Sequence, residues 1–282
     1  MSNDPKQNQP EKNPKPSHLP QKPSKTKKRK PKIIDPRRCV DPLIPYIINP
    51  RRTALLGHLP NLQWNAVQDA TCYSVSLQAF EETIWQTKIA ETQLVYLGAS
   101  PLESGVEYTL LVEADTGTSS SDDAMSGSIA FRLLDDTKMQ KIQTAMQQSK
   151  QIQEENQIHK TISLYRSYEL RAEAIKLLET EIQQGHQVEG YHQILGELYS
   201  EVGLSLEAET AYLKAVELAE DTDDLGAQAA AAVGLGNVYV ALKTQDEALY
   251  WLTQAKYGYE ALADMEAVKV LEGMLATNFD WD

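Results

Sequence analysis

The chain has 282 residues, 41% of them hydrophobic and 24% charged, with a net charge of −13 and a mean hydropathy of −0.44. That length suits two domains, each able to bury a core. No run of 18 apolar residues occurs, which excludes a membrane-spanning helix, and an acidic body argues against nucleic-acid binding by the folded part.

Residues 1–44 form a Pro- and Lys-rich segment with almost nothing to bury, so disorder is expected there. Residues 1–38 carry twelve Lys/Arg against three Asp/Glu, which leaves the rest of the chain at −22. The cluster KTKKRKPK at 25–32 reads as a solvated tether, with contact to an anionic surface as the alternative. The first twenty residues have no apolar signal core, so a cytoplasmic protein is expected; periplasm or cell envelope would require an upstream start. Cys39 and Cys72 form a disulfide only in an oxidising compartment and are free thiols otherwise.

From about 45 to 135 the hydrophobic period is two. Strands are expected at Leu62–Trp64, Tyr73–Ala79, from Ile84-Trp85, Gln93–Tyr96, Tyr108–Ala114 and Ile129–Leu133, separated by turn residues. Short antiparallel strands at this spacing predict a sandwich. Leu102-Glu-Ser-Gly105-Val-Glu-Tyr108 places a Tyr after a Gly turn at a strand entry, where its hydroxyl can bond back to the corner. Trp64 and Trp85 read as core residues, with ligand-stacking platforms as the alternative. Ser119–Asp123 lacks the alternating acids of a calcium loop. With Trp64 ahead of Tyr73-Ser-Val75 and with Val112–Gly117, this region resembles a fibronectin type III domain, or more broadly an Ig-like sandwich. It also resembles domains placed before helical repeats in cyanobacterial proteins of unassigned function.

At Asp136 the period becomes helical. Residues 136–154 read as a connector helix capped by Asp135-Asp136-Thr137, with Met139, Ile142 and Met146 on its apolar side. Residues 155–276 read as stacked helix pairs. In the stretch 189–222, Leu195, Gly196, Tyr199, Ala208, Tyr212 and Ala215 recur at the spacing of two helices meeting at small residues. Leu235, Gly236, Tyr239, Ala248, Leu252 and Ala255 repeat the pattern at 229–262, displaced by 40 residues, so about six extra residues lie around 221–226. A degenerate copy at 155–188 keeps Tyr165, Ala174 and Leu178, and 264–276 is expected to cap the stack with a polar outer face. These stretches resemble tetratricopeptide repeats, with His192 where Trp is usual and Glu220 where Pro is usual. The fold expected is therefore multi-domain: an all-β sandwich followed by all-α helical repeats.

That resemblance implies a groove lined by the first helix of each pair. The first copy supplies Asn156, His159, Ser163, Arg166 and Ser167. The second supplies Gly190, Gln193, Glu197, Ser200 and Glu201, and the third Ala230, Val233, Asn237, Val240 and Ala241. Only Asn237 matches a carboxylate-clamp position, and Glu197 and Glu201 would repel an acidic peptide terminus. The groove is expected to grade from acidic to apolar and to take a peptide or helix with basic and aliphatic side chains. His186 and His192 have no third ligand at a recognisable spacing, Gly234-Leu-Gly236 lies within a helix and not in a dinucleotide loop, and no catalytic motif is present. The expectation is a non-enzymatic protein-interaction adaptor with no metal or cofactor; the alternatives are an envelope module working through the sandwich and a factor tethered by its basic tail.

Overall fold

The computed structural model describes residues 43–98, 100–122, 129–149, 154–186 and 188–277; the basic tail and Cys39 lie outside them, so the Cys39–Cys72 pairing does too. Cys72 is half-buried and forms no disulfide among the described residues. Eight strands are formed among the described residues: β1 (Ile47–Asn49), β2 (Ala54–Leu55), β3 (Asn61–Trp64), β4 (Tyr73–Ala79), β5 (Glu82–Ile89), β6 (Gln93–Val95), β7 (Glu107–Ala114) and β8 (Phe131–Leu133). They divide into a three-stranded sheet ordered β1-β3-β6 and a five-stranded sheet ordered β2-β8-β7-β4-β5. All pairings are antiparallel except β2 with β8.

The alternation seen in sequence sets the two faces. On β4 and β7, Tyr73, Val75, Leu77, Tyr108, Leu110 and Val112 point into a core shared with Leu62, Trp64 and Phe131. Trp64 is fully enclosed, edge-on to Tyr73 with ring centroids 5.6 Å apart, which makes it a core residue and not a platform. Trp85 is half-buried against Tyr96. The Tyr108 hydroxyl accepts the Glu103 backbone N–H at 2.7 Å, so the corner forms as its spacing implied.

Eight helices follow: α1 (Asp136–Ser149), α2 (Glu154–Ser167), α3 (Arg171–Gln183), α4 (Glu189–Val202), α5 (Ser205–Asp221), α6 (Leu225–Ala241), α7 (Gln245–Ala261) and α8 (Met265–Thr277). Asp135 accepts the Lys138 N–H at 2.9 Å and caps α1; Asp224 and Asp264 do the same for α6 and α8. From α2 to α8, six turns share one geometry. Glu169, Gly185, Gly203, Asp223, Lys243 and Ala263 each take a positive φ. The next N–H then reaches back five residues, as Leu170 does to Tyr165 and Leu204 to Tyr199, closing a Schellman-type end at 2.8–3.1 Å. At the turn at 203 a Cβ would in addition lie 2.9 Å from Arg52 Nη1, so the arginine tip would have to shift.

The long spacing between the second and third copies is shared by two helices. Both α5 and α6 have 17 residues where α4 has 14, and α6 starts at Leu225, earlier than the expected 229. Helix α6 is apolar around nearly its whole circumference because it is the enclosed member of the stack, contacting α4, α5 and α7. The ring of Tyr212 from α5 wedges between α4 and α6: a Cβ at Gly196 would approach it to 2.7 Å and one at Gly234 to 2.4 Å. Gly236 meets Leu252 in the same manner, at 2.5 Å.

Helix α1 buries Ile142 in a core with Ile162, Leu170, Leu178 and Leu195. That core also contains Ala54 and Leu134, so strand and helix residues share it. One expectation is corrected: α8 does not present a fully polar outer face. Val268 and Leu271 turn inward and Met274 and Leu275 pack partly against the core, but Met265 and Val270 are left 65% and 60% exposed.

Between the strands and helices lies a polar latch. Arg51, only 3% exposed, donates from Nε to the Val202 carbonyl at the end of α4 (2.7 Å) and from Nη1 to the Ile47 carbonyl (3.2 Å). A guanidinium at a helix C-terminus is favourably placed against the macrodipole. The Ala54 N–H donates to the Glu169 carbonyl at 2.9 Å, and Thr53 Oγ1 accepts the Ala172 N–H at the start of α3 at 3.1 Å.

His192 is 8% exposed on α4. Burial first, and then the Lys214 ammonium, hold its pKa below the ordinary 6.5, while Glu217 opposes them. A depressed imidazole means that the unfolded chain binds the proton more readily. Its stabilising contribution is thus full above pH 6.5 and is lost as pH falls through 6.5 toward the depressed value. Melting temperature followed from pH 8 to 5 is expected to decline in that window, and His192→Phe is expected to reduce the slope.

Candidate partner-binding site

The side chains expected to line the groove lie on α2, α4 and α6, of which α4 and α6 pack side by side. Arg166 on α2 bridges to α4: Nη1 is 3.0 Å from Glu197 Oε2, and Nη2 pairs with Glu201 Oε1. The other Glu201 oxygen takes Arg171 Nε from α3 at 3.1 Å. Gln193 Nε2 donates to Glu197 Oε1 at 3.3 Å. The acidic character expected of the central copy is therefore neutralised by two arginines from the preceding pair. Each bridge is partly exposed and contributes about 0–1 kcal/mol, but the network fixes four side chains in one arrangement.

The serines are already committed. Ser163, Ser167 and Ser200 donate to the carbonyls of His159, Leu164 and Gly196 on their own helices at 2.9, 2.7 and 2.8 Å. His159 is exposed, with its ring 5.8 Å from that of Tyr191. The Asn156 side chain lies outside the described residues. On α6, Asn237 is exposed and makes no hydrogen bond through its side chain among the described residues, Ala241 is exposed and Ala230 is half-buried. Val233 and Val240 are half-buried and pack against the α6–α7 core. The surface thus grades from a charge-paired patch on α2–α4 to a polar-apolar strip on α6.

The packing residues behind it are enclosed. Leu195, Ala208, Tyr212 and Ala215 are buried between α4, α5 and their neighbours, as are Leu235, Tyr239, Ala248 and Ala255 along α6 and α7. Burial, with smaller opposing and reinforcing contributions, pushes the Tyr212 phenol up to about 12, so it stays neutral at any working pH. Tyr199 is half-buried and donates to Glu179 at 2.6 Å. Tyr239 donates to Glu209, a carboxylate only 2% exposed. Sequence reading missed Arg171, because its ionic partner lies 30 residues away and no local pattern marks it. Among the described residues, no cluster of three or more metal-ligating side chains occurs.

Comparison with protein-family models and with curated proteins finds no match to this chain.

Proposed function

We propose that this protein is a non-enzymatic interaction adaptor whose α2–α4–α6 surface binds a partner peptide or helix. The six equivalent hairpin turns and the Tyr212 ring seated between Gly196 and Gly234 support a tetratricopeptide-type stack. The three-plus-five division of strands and the Tyr108 corner support a fibronectin III-type sandwich in front of it. In this reading the sandwich is a fixed support for the first helix pair.

The observation that carries the reading is the contrast across the groove. Arg166, Glu197, Glu201 and Arg171 satisfy one another, while Asn237 offers an amide with no hydrogen bond among the described residues, beside Val233 and Val240. A partner is thus selected by hydrogen bonding and apolar contact on α6, with Arg166 and Gln193 at the charged margin. Binding by such a surface concentrates in a few residues. In pull-downs from its source cells with the full chain, Asn237→Arg combined with Arg166→Ala is expected to reduce partner recovery by about tenfold, equivalent to ~1.4 kcal/mol. Equal recovery from both proteins would remove the groove from consideration.

A further inference from the structure

A second concave site lies outside that groove, where the three-stranded sheet faces the helices. Asn61 and Gln63 alternate with the buried Leu62 and Trp64, so their side chains leave the sandwich on its outer face. That face and α3 enclose a cavity of about 750 Å³, within the range of small-ligand and peptide sites. Asn49, Asn61, Gln63 and Val95 form one side of it. Glu173, Lys176 and Glu179 of α3 form the other, and Tyr199 and Glu207 line it from α4 and α5.

Three features of this cleft point to one kind of occupant. The first is charge: three carboxylates and one ammonium line it. Glu179 and Glu207 each accept a hydrogen bond from a neutral phenol, Tyr199 at 2.6 Å and Tyr46 at 3.2 Å, not from a cation. Glu207 Oε2 is buried with no hydrogen-bond partner among the described residues. Burial raises the Glu207 pKa, against the backbone, Tyr46 and Arg51, which lower it. Glu207 is thus held toward its neutral form, whereas Glu173 and Glu179 make no ion pair among the described residues and would draw a cation in the cleft.

The second is an open strand edge. Tyr96 N–H bonds to Pro60 O at 2.9 Å and Trp64 N–H to Thr92 O at 3.0 Å, and Leu94 sits opposite Leu62. Antiparallel alternation then turns the N–H and C=O groups of Gln93 and Val95 away from β3, toward the free side of the sheet. Neither a proline nor a charged residue blunts this three-residue edge. The third is an apolar rim: Leu59, Val95 and Leu97 are 58%, 48% and 75% exposed beside the opening.

We propose that this cleft binds an extended peptide segment carrying Lys or Arg, whose backbone pairs with Gln93 and Val95 and whose basic side chain reaches Glu173 and Glu179. The rim accepts the aliphatic side chains that alternate with the basic ones. The site is independent of the α2–α4–α6 groove and stands or falls separately from it.

The probe is acetyl-Leu-Arg-Val-Arg-Leu-amide, titrated into the isotope-labelled full chain, with acetyl-Leu-Glu-Val-Glu-Leu-amide as its counterpart. Saturable amide shifts are expected at Gln93, Val95 and the first turn of α3, with the Glu peptide at least about tenfold weaker. Glu173→Gln with Glu179→Gln is expected to weaken the Arg peptide by about tenfold, and Val95→Pro, which removes an outward N–H, to weaken both the shifts and the affinity. Absence of saturable shifts at millimolar peptide would overturn the proposal. So would equal affinity for the two peptides, or shifts confined to Gln193 and Asn237. The comparison of the two peptides uses the unaltered chain, so it decides the matter even where a variant fails to fold.

Discussion

Arg51→Ala is expected to destabilise the protein by about 3 kcal/mol and to split its unfolding into two transitions. The side chain is enclosed and donates to two backbone carbonyls, Val202 at 2.7 Å and Ile47 at 3.2 Å. Hydrogen bonds from a charged donor contribute about 1.5–3 kcal/mol each, and the truncated variant leaves both carbonyls without that donor. A loss of that size is a large share of the 5–15 kcal/mol that holds a typical domain together. The loss falls on the joint between strands and helices, because Ile47 belongs to β1 and Val202 ends α4. Urea unfolding with hydrogen exchange read at Val75 and Leu110 for the sandwich, and at Leu235 and Leu252 for the stack, separates the two regions. Coincident transitions with unchanged midpoints would show that the latch contributes little. Arg51→Lys keeps the charge but loses the forked geometry, and is expected to fall between the two.

Gly234→Ala is expected to cost about 1 kcal/mol although alanine is the better helix former. The added Cβ would sit 2.4 Å from the Tyr212 ring, and the ring cannot retreat because Gly196 already meets it from α4. Overpacking a close contact costs about 1–3 kcal/mol, against a propensity gain of about 1 kcal/mol. Gly273 on α8 supplies the control. A Cβ there meets nothing within 4 Å, so Gly273→Ala is expected to stabilise by about 0.5–1 kcal/mol. Thermal unfolding of the two variants should therefore move in opposite directions. Combining Gly234→Ala with Tyr212→Leu relieves the clash, and the pair is expected to be non-additive by at least ~1 kcal/mol. Additive effects would mean that the ring is not the obstacle.

The helix pairs were legible because their signals are local. Gly196, Tyr199, Ala208 and Tyr212 recur at spacings that follow from how two helices cross, and each lies where that spacing places it. The longer strands were legible because β4 and β7 alternate over seven and eight residues. β1 and β2, with three and two residues, are too short for any period to emerge, and they hold the segment that joins the two regions. Arg51 and Arg52 carry no local pattern in sequence that marks a role. Their roles depend on residues more than a hundred positions away. The pairing of the groove carboxylates was hidden for a related reason. Glu197 and Glu201 are close in sequence and register as acidic, whereas Arg166, which neutralises them, stands 31 and 35 residues earlier on another helix.

The separation between Arg51 and Val202, 151 residues, also bears on how the chain is made. During synthesis the strands emerge first, and at about 5–20 residues per second the acceptor of Arg51 follows some 8–30 s later. The sandwich must therefore persist for that interval with a guanidinium that has not yet met α4, and with the outer face of β1, β3 and β6 open to the surroundings. The helix pairs close over short loops and form as they appear. Vectorial synthesis thus makes docking of the strands onto α3 and α4 a late event, and an occupant of the β6 edge would find that edge accessible before the helices that frame it exist.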